Sequence, residues 1–210
     1  MFKTNSISNK ALFLIILVLL LDQAFKIWVK THMILGEEIH ISGKWFVLHF
    51  TENNGMAFGM QFGGRFGKII LSLFRIGAIF MIGRYLIHLI KQGAKNGFIL
   101  SVALVFAGAI GNTLDGMFYG LIFNDSYGRI ATAFSSEGGY SSFLFGKVVD
   151  MLYFPLIHGH YPAWIPFLGS TDFYFFRHIF NLADSSIFLG VLLILIFQKR
   201  YFGKKVVEDL

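Results

Sequence analysis

The chain has 210 residues, 55% of them hydrophobic, and its mean hydropathy of +0.64 is too high for an ordinary soluble domain. Its net charge of +6 comes without a long basic run or an RNA-reading motif, so we expect no nucleic-acid partner. The absence of Cys excludes disulfides, thiolate catalysis and Cys-ligated metals. The composition therefore predicts a membrane protein made mainly of α-helices.

Four apolar stretches predict transmembrane helices, at residues 11–29, 68–90, 98–114 and 180–197. We expect the first to be retained rather than cleaved as a signal, because Asp22 lies inside it. Lys and Arg cluster before the first stretch, between the second and third, and after the fourth. This distribution predicts a single membrane domain, residues 1–210, with both termini in the cytoplasm.

Two longer segments would then lie outside the membrane, at about 31–66 and 118–178. In the first, β-prone runs at 39–41 and 45–51 flank a Ser-Gly turn and predict a small extracytoplasmic sheet. The second is rich in Gly, Ser and aromatic residues and has no strong periodicity. We expect it to form a lid, a surface-lying piece or a partner site.

Two Asn-x-x-Asp pairs occur at the outer ends of predicted helices, Asn112 with Asp115 and Asn181 with Asp184. Residues three apart share one face of a helix, so each pair points an amide and a carboxyl group in the same direction. The predicted topology places both pairs at the same outer depth. Close approach of a neighbouring helix is favoured by the small residues just before the first pair, Ala107, Gly108, Ala109 and Gly111.

Other polar groups fall at the same predicted interface. Asp22 and Lys26 are spaced i to i+4 and can form an ion pair. Asn53 and Asn54 precede Gly55 in a sequence that favours a tight turn, and Asp150 follows two Val residues in what we expect to be a loop. His158 and His160 lack the spacing of a metal site, so no metal is expected.

Carboxyl groups paired near an apolar interface suit acid-base hydrolysis, because one of the two keeps a proton while the other activates water. From the residues alone, Asp115 is preferred over Asp150 as the partner of Asp184. Two alternatives remain open at this point. Each Asp could be a helix cap or interfacial residue, or Asp22, Asp115 and Asp184 could form a proton or cation relay in a transporter.

Five short motifs occur in order: Asp22-Gln23-Ala24-Phe25-Lys26, Asn53-Asn54-Gly55-Met56-Ala57-Phe58, Gly111-Asn112-Thr113-Leu114-Asp115, Val148-Val149-Asp150 and Phe180-Asn181-Leu182-Ala183-Asp184-Ser185-Ser186-Ile187. Together they resemble the lipoprotein signal peptidases, the type II signal peptidases of bacteria. The corresponding patterns are D-Q-x-x-K, N-x-G-x-A-F, G-N-x-x-D-R, V-V-D and F-N-x-A-D-x-x-[IL].

The resemblance implies an aspartic endopeptidase that cleaves prolipoproteins on the amino side of a diacylglyceryl-modified Cys. It implies that Asp150 and Asp184 form the catalytic dyad, which reverses the choice of Asp115. Supporting or substrate-binding roles are implied for Asp22, Lys26, Asn53, Gly55, Asn112, Asp115, Asn181 and Ala183. We expect no cofactor and a monomer in the bacterial inner membrane, its dyad toward the outer leaflet. The implied partners are the lipid-modified substrate, membrane lipid and a globomycin-type inhibitor.

The chain departs from the pattern in two places. The Arg that follows G-N-x-x-D is Gly116 here, and we expect Arg129 or Arg177 to take its place. The interval between Asp115 and Asp150 is also long, and we expect residues 118–145 to fold over the outer surface. A lipid-binding, non-catalytic relative is a further alternative, against which the presence of both Asp residues argues.

Overall fold

The computed structural model describes residues 2–54, 64–160, 162, 164, 172–175 and 178–202. Its elements in chain order are α1 (Phe2–His32), β1 (Glu38–Ser42), β2 (Phe46–Asn53), α2 (Gly64–Lys91), α3 (Asn96–Leu114), a π-helical turn (Asp115–Tyr119), α4 (Gly120–Ile122), β3 (Val148–Tyr153), β4 (Ile157–His160), β5 (Asp172–Phe175), β6 (Ile179–Phe180), α5 (Leu182–Ile196) and α6 (Gln198–Phe202).

Within the described residues, three helices are long and apolar enough to cross a membrane: Ser6–His32, Gly64–Lys91 and Asn96–Ile122. They confirm the prediction of a membrane protein. The fourth predicted span contains α5, an apolar helix of 15 residues. At about 22 Å it is shorter than the bilayer's hydrocarbon core of about 30 Å. It starts later than predicted because Phe180 pairs with Leu152 in the sheet and Asn181 caps the helix.

Helix α3 lies at the centre of the bundle and packs against α1, α2 and α5. Its contact with α5 depends on small residues, since a Cβ added at Gly108 would lie 2.2 Å from the carbonyl oxygen of Ala183. A Cβ at Gly190 on α5 would similarly lie 2.6 Å from the carbonyl oxygen of Ser101. The small residues predicted to admit a neighbouring helix therefore do so, and the neighbour is α5.

A four-stranded antiparallel sheet, in the order β1-β2-β3-β6, covers one end of the bundle, and β4 pairs with β5 separately. The predicted small sheet is confirmed in β1 and β2. Its other two strands, β3 and β6, come from the second outer segment, whose sequence has no strong periodicity. The expectation that Asp150 lies in a loop was wrong, because it sits within β3, whose Val149 and Met151 are buried in the core beneath the sheet. His158 and His160 likewise belong to a strand, β4.

Residues 117–145 leave the end of α3 and return to it. On the way out the chain continues the helix through the π-helical turn and α4, which places helix in the first part of the predicted insertion. On the way back, Leu144 donates to the carbonyl of Met117 at 3.2 Å and Gly146 donates to that of Gly116 at 2.9 Å. A Cβ at Gly146 would lie 2.2 Å from the carbonyl oxygen of Asp115, so glycine permits this closure. The closure brings β3 directly beside Asp115.

Candidate active site

Asp150 is held by amides from two different elements. In the β2–β3 pairing, Thr51 lies opposite Asp150 and Asn53 opposite Val148. Alternate residues of a strand share a face, so Asn53 reaches diagonally across the pair and donates a hydrogen bond to Asp150 Oδ2. Asn181 donates to Asp150 Oδ1 at 2.7 Å. With both oxygens engaged, the carboxyl group is fixed in position, and the residue is 4% exposed.

Asp184 stands in the first turn of α5, and the capping box there fixes its position. The Asn181 side chain accepts from the Asp184 backbone N–H at 2.8 Å, and Asp184 Oδ2 accepts from the Asn181 backbone N–H at 3.4 Å. A carboxylate in the first turn is favoured by the helix dipole. Asn112 of α3 donates to Asp184 Oδ1 at 2.7 Å, which joins the two predicted Asn-x-x-Asp pairs.

The Asn181 side chain connects the two candidate acids. Its oxygen accepts from the Asp184 backbone, while its Nδ2 donates to Asp150 at 2.7 Å and to Asn112 Oδ1 at 3.0 Å. Nδ2 also lies 3.3 Å from the Val149 carbonyl oxygen. An amide with no exposed surface thus ties strand β3, helix α3 and the start of α5 together at a single point.

Lys26 forms a second centre, directly behind the first. Its Nζ lies 2.8 Å from Asp22 Oδ2 and 2.8 Å from Asp115 Oδ2, and it donates to Asn112 Oδ1 at 2.9 Å. All three charged side chains have no exposed surface. Asp22 Oδ1 in turn accepts from the backbone N–H of Ala183 at 2.8 Å. The ion pair predicted between Asp22 and Lys26 therefore forms, and it extends to Asp115 and to the start of α5.

Gln23 and Tyr119 extend this centre, and we assigned them no role from the sequence. Gln23 Nε2 donates to Asp115 Oδ1 at 2.8 Å, and Gln23 Oε1 accepts from the Tyr119 hydroxyl at 3.1 Å. For Gln23, the sequence signal that could have identified a role is its position directly after Asp22. Tyr119 ends the π-helical turn that Asp115 begins, and such turns are frequent at functional sites. No pattern in the sequence predicts that π-helical turn.

A further buried cluster joins the insertion to α1 and β2. The ammonium of Lys30 contacts Glu52 and donates to Ser126 Oγ at 2.9 Å, and Lys147 lies 3.1 Å from the other oxygen of Glu52. Lys30 Nζ also lies 5.0 Å from the ring centroid of Tyr140. The sequence signal for this cluster is the i to i+4 spacing of Lys30 from Lys26, which places both residues on the same face of α1. Because Glu52 precedes Asn53, this cluster helps to fix the β2 end of the site.

The electrostatic setting of Asp150 favours its protonated form. Burial raises the pKa of Asp150 to about 7, and the nearby Asp184 carboxylate adds to this effect, while Lys26, Asn181 and Asn53 act in the opposite direction. At neutral pH this carboxyl group is therefore near its midpoint and can either hold or release a proton. A carboxyl group in that condition, beside a second one, is suited to acid-base chemistry.

The structure brings the predicted site residues together in one region: Asp22, Lys26, Asn53, Asn112, Asp115, Asp150, Asn181, Ala183 and Asp184. Gly55 and Arg177 lie outside the described residues. Arg129 does not join this region, since its half-exposed guanidinium pairs with Glu137 at 3.0 Å.

The part of the chain that is described holds no group of three or more His, Asp or Glu placed to bind a metal ion. Lys26 already stands between the carboxylates of Asp22 and Asp115.

Comparison with known proteins identifies relatives of the chain in sequence and in fold. The chain is 47% identical to the lipoprotein signal peptidase of Porphyromonas gingivalis over 188 residues, covering 89% of this chain and 81% of that protein. It is 37% identical to the lipoprotein signal peptidase of Amoebophilus asiaticus, covering 86% of this chain and 74% of that protein. Its fold matches a bacterial membrane enzyme solved by the in meso method at 2.3 Å resolution, with a TM-score of 0.63, 21% identity, and coverage of 96% of this chain and 94% of that one. The family model for signal peptidase (SPase) II matches residues 14–199, and the chain belongs to this family.

Proposed function

We propose that this protein removes the signal peptide from diacylglyceryl-modified prolipoproteins, cleaving on the amino side of the lipid-modified Cys as an aspartic endopeptidase. Asp150 and Asp184 form the dyad. The observation that carries this assignment is the bridging by Asn181, which binds the Asp150 carboxyl group through Nδ2 and the Asp184 backbone through Oδ1. Asp115 instead faces the ammonium of Lys26, which is its counter-ion, and the amide of Gln23, and these two groups occupy its two oxygens.

The dyad works with one proton shared between two carboxyl groups. Asp184 is the ionised member, because it lies at the start of α5 and accepts a hydrogen bond from Asn112. It removes a proton from a water that attacks the scissile carbonyl. Asp150 holds the other proton, consistent with its raised pKa, and donates it toward the carbonyl oxygen as the tetrahedral intermediate forms. Collapse of that intermediate breaks the C–N bond, with a proton passing to the leaving nitrogen.

The surrounding polar residues keep this geometry in place. Asn53 and Asn112 each hold one dyad carboxyl group, and Asp22 anchors the backbone at Ala183. The cluster of Lys26 and Asp115 supports the amides from behind. Gly55, which follows Asn54 in the sequence, is assigned a role in binding the substrate backbone. Membrane lipid surrounds the helices, and a globomycin-type inhibitor occupies the dyad in place of substrate.

The protein spans the inner membrane four times as a monomeric single domain, with both termini in the cytoplasm and the dyad at the outer leaflet. Support comes from basic residues gathered at one end of the bundle. Lys95, in the turn between α2 and α3, donates to the Arg200 carbonyl of α6, and Ile7 near the start of α1 packs in the same cluster as Tyr201. This end carries the positive charge expected on the cytoplasmic side. The dyad lies at the other ends of α3 and α5.

The test is cleavage of a lipid-modified prolipoprotein by purified protein in detergent. The wild type should release the signal peptide, and a globomycin-type inhibitor should block the reaction. Asp150→Asn and Asp184→Asn should each abolish cleavage at unchanged protein level, whereas Glu137→Gln, the same chemical change at an exposed position, should have no effect. A wild type that leaves this substrate intact contradicts the proposed function. Normal cleavage by Asp184→Asn contradicts the dyad.

A further inference from the structure

Three polar side chains lie on one face of α2, in its N-terminal half. Lys68, Ser72 and Arg75 are spaced four and then three residues apart, which places them on the same face. Lys68 Nζ donates to the Phe145 carbonyl at 2.8 Å, and Ser72 Oγ donates to the Leu144 carbonyl at 3.2 Å. This face of α2 therefore lies against the base of the insertion, the segment that closes onto Gly116.

Arg75 continues this face by one turn. Helices α2 and α3 run antiparallel, with Gly83 beside Phe106 and Tyr85 beside Phe98. Both helices rise by the same distance per residue, so moving from Gly83 back to Arg75 along α2 corresponds to moving forward from Phe106 along α3. Arg75 therefore lies level with the last two turns of α3, which contain Asn112. Its side chain is half-buried, and its positive charge interacts with the carboxylates of Asp184, Asp115 and Asp150.

The charge balance of the site explains why an arginine would be retained there. An Arg within a membrane helix is energetically costly, so its presence requires a partner. With one proton on the dyad, the carboxyl groups of Asp22, Asp115, Asp150 and Asp184 carry three negative charges, while Lys26 supplies one positive charge. A second cation at Arg75 leaves the site with a single net negative charge.

We propose that Arg75 is the second cation of this site, a positioning residue that faces the dyad from α2 and sets the pH range in which Asp150 and Asp184 share one proton. The activity part of this inference rests on the proposed function. The groups that face the dyad from the other elements are Lys26 and Asp22 on α1 and Asp115 at the start of the π-helical turn. All of these remain in place when Arg75 alone is changed.

Loss of the cation favours the protonated form of both dyad carboxyl groups. In Arg75→Gln we expect both the acid and the alkaline limbs of the kcat profile to move to higher pH by about one pH unit. Arg75→Lys should restore the wild-type profile. Arg84→Gln is the matched control on the same helix, because Arg84 is exposed and lies 5.9 Å from the Phe80 ring. It should leave both limbs unchanged.

A second measurement does not need substrate. Infrared titration of the protonated carboxyl band in detergent should give a higher midpoint for Arg75→Gln than for the wild type and Arg84→Gln. Unchanged midpoints, or equal shifts in both variants, would overturn the inference. If the wild type fails to cleave prolipoprotein but the midpoint still shifts, the proposed function fails while the inference about Arg75 stands.

Gly116 provides a rescue variant that also covers the case in which Arg75→Gln folds poorly. A Cβ at Gly116 meets no atom within 4 Å, and the residue follows Asp115 directly. In the double variant Arg75→Gln with Gly116→Arg, a guanidinium from the π-helical turn should return the infrared midpoint toward that of the wild type. A midpoint that stays at the Arg75→Gln value, in a double variant that folds, would contradict an electrostatic role.

Discussion

Replacing Gly108 by Ala should destabilise the protein and impair the site, although the change adds only one methyl group. The new Cβ would lie 2.2 Å from the Ala183 carbonyl oxygen and 2.7 Å from a side-chain carbon of Ile187. Ordinary contacts begin near 3.4 Å, so α5 has to move away from α3 by roughly 1 Å. The obstacle is a backbone atom, which cannot turn aside as a flexible side chain would.

The magnitude follows from two opposing effects. Overpacking of this kind costs about 1–3 kcal/mol, whereas Ala is favoured over Gly in a helix by about 1 kcal/mol. Gly77 on α2 isolates the second effect, because a Cβ there meets nothing within 4 Å. We therefore expect Gly77→Ala to be neutral or stabilising. Because both variants share the gain in helix propensity, Gly108→Ala should be less stable than Gly77→Ala by the overpacking cost, about 1–3 kcal/mol.

Thermal unfolding of both variants in the same detergent measures this difference, and prolipoprotein cleavage measures its effect on the site. Ala183 directly precedes Asp184, so displacement of α5 misplaces a dyad member, and a misplacement of about 1 Å lowers the rate by about 100-fold. Equal unfolding temperatures and equal activities for Gly77→Ala and Gly108→Ala would refute the packing argument.

Three further predictions concern charge. The pKa of Asp150 is raised from 3.8 to about 7, so between these pH values the native state holds a proton that the unfolded state has lost. The unfolding free energy should therefore be highest below pH 3.8, decline up to about pH 7 and level off above it, and the cleavage rate should decline as pH rises through about 7. Asn53→Ala removes a hydrogen-bond donor that stabilises the ionised form of Asp150, so the alkaline limb of the pH–rate profile should move to higher pH. An unchanged alkaline limb would show that this hydrogen bond does not affect the titration of the site. Lys26→Met leaves Asp22 and Asp115 buried without their cation, so it should lower the unfolding free energy measured by chemical denaturation by about 3–5 kcal/mol. A loss below about 1 kcal/mol would show that the two carboxyl groups are neutral.

The apolar helices and the convergence of polar residues could be predicted from the sequence because both depend on local spacing. Asn112 and Asp115, like Asn181 and Asp184, are three residues apart, and that spacing fixes their common face whatever surrounds the helix. Small residues such as Gly108 indicated a close helix contact for the same local reason. The identity of the partner helix, α5, was not a local property.

The position of Asp150 could not be predicted from the residues alone. Strand β3 is defined by pairing with β2, far away in the chain, and by closure of the insertion at Gly116 and Gly146. The resemblance to a family selected Asp150 without indicating that it lies in a strand. Arg129 does not take the place of the Arg that the family pattern has at Gly116, because it pairs with the carboxylate of Glu137 in the same loop.

The closure at Gly116 and Gly146 makes the length of the insertion independent of the dyad. Whatever path residues 117–145 take, the chain re-enters β3 from the same point beside Asp115. The entropy of closing a loop grows only slowly with its length, so lengthening or shortening this excursion changes stability little. The outer surface can therefore diversify in size and shape while the two acids keep their separation.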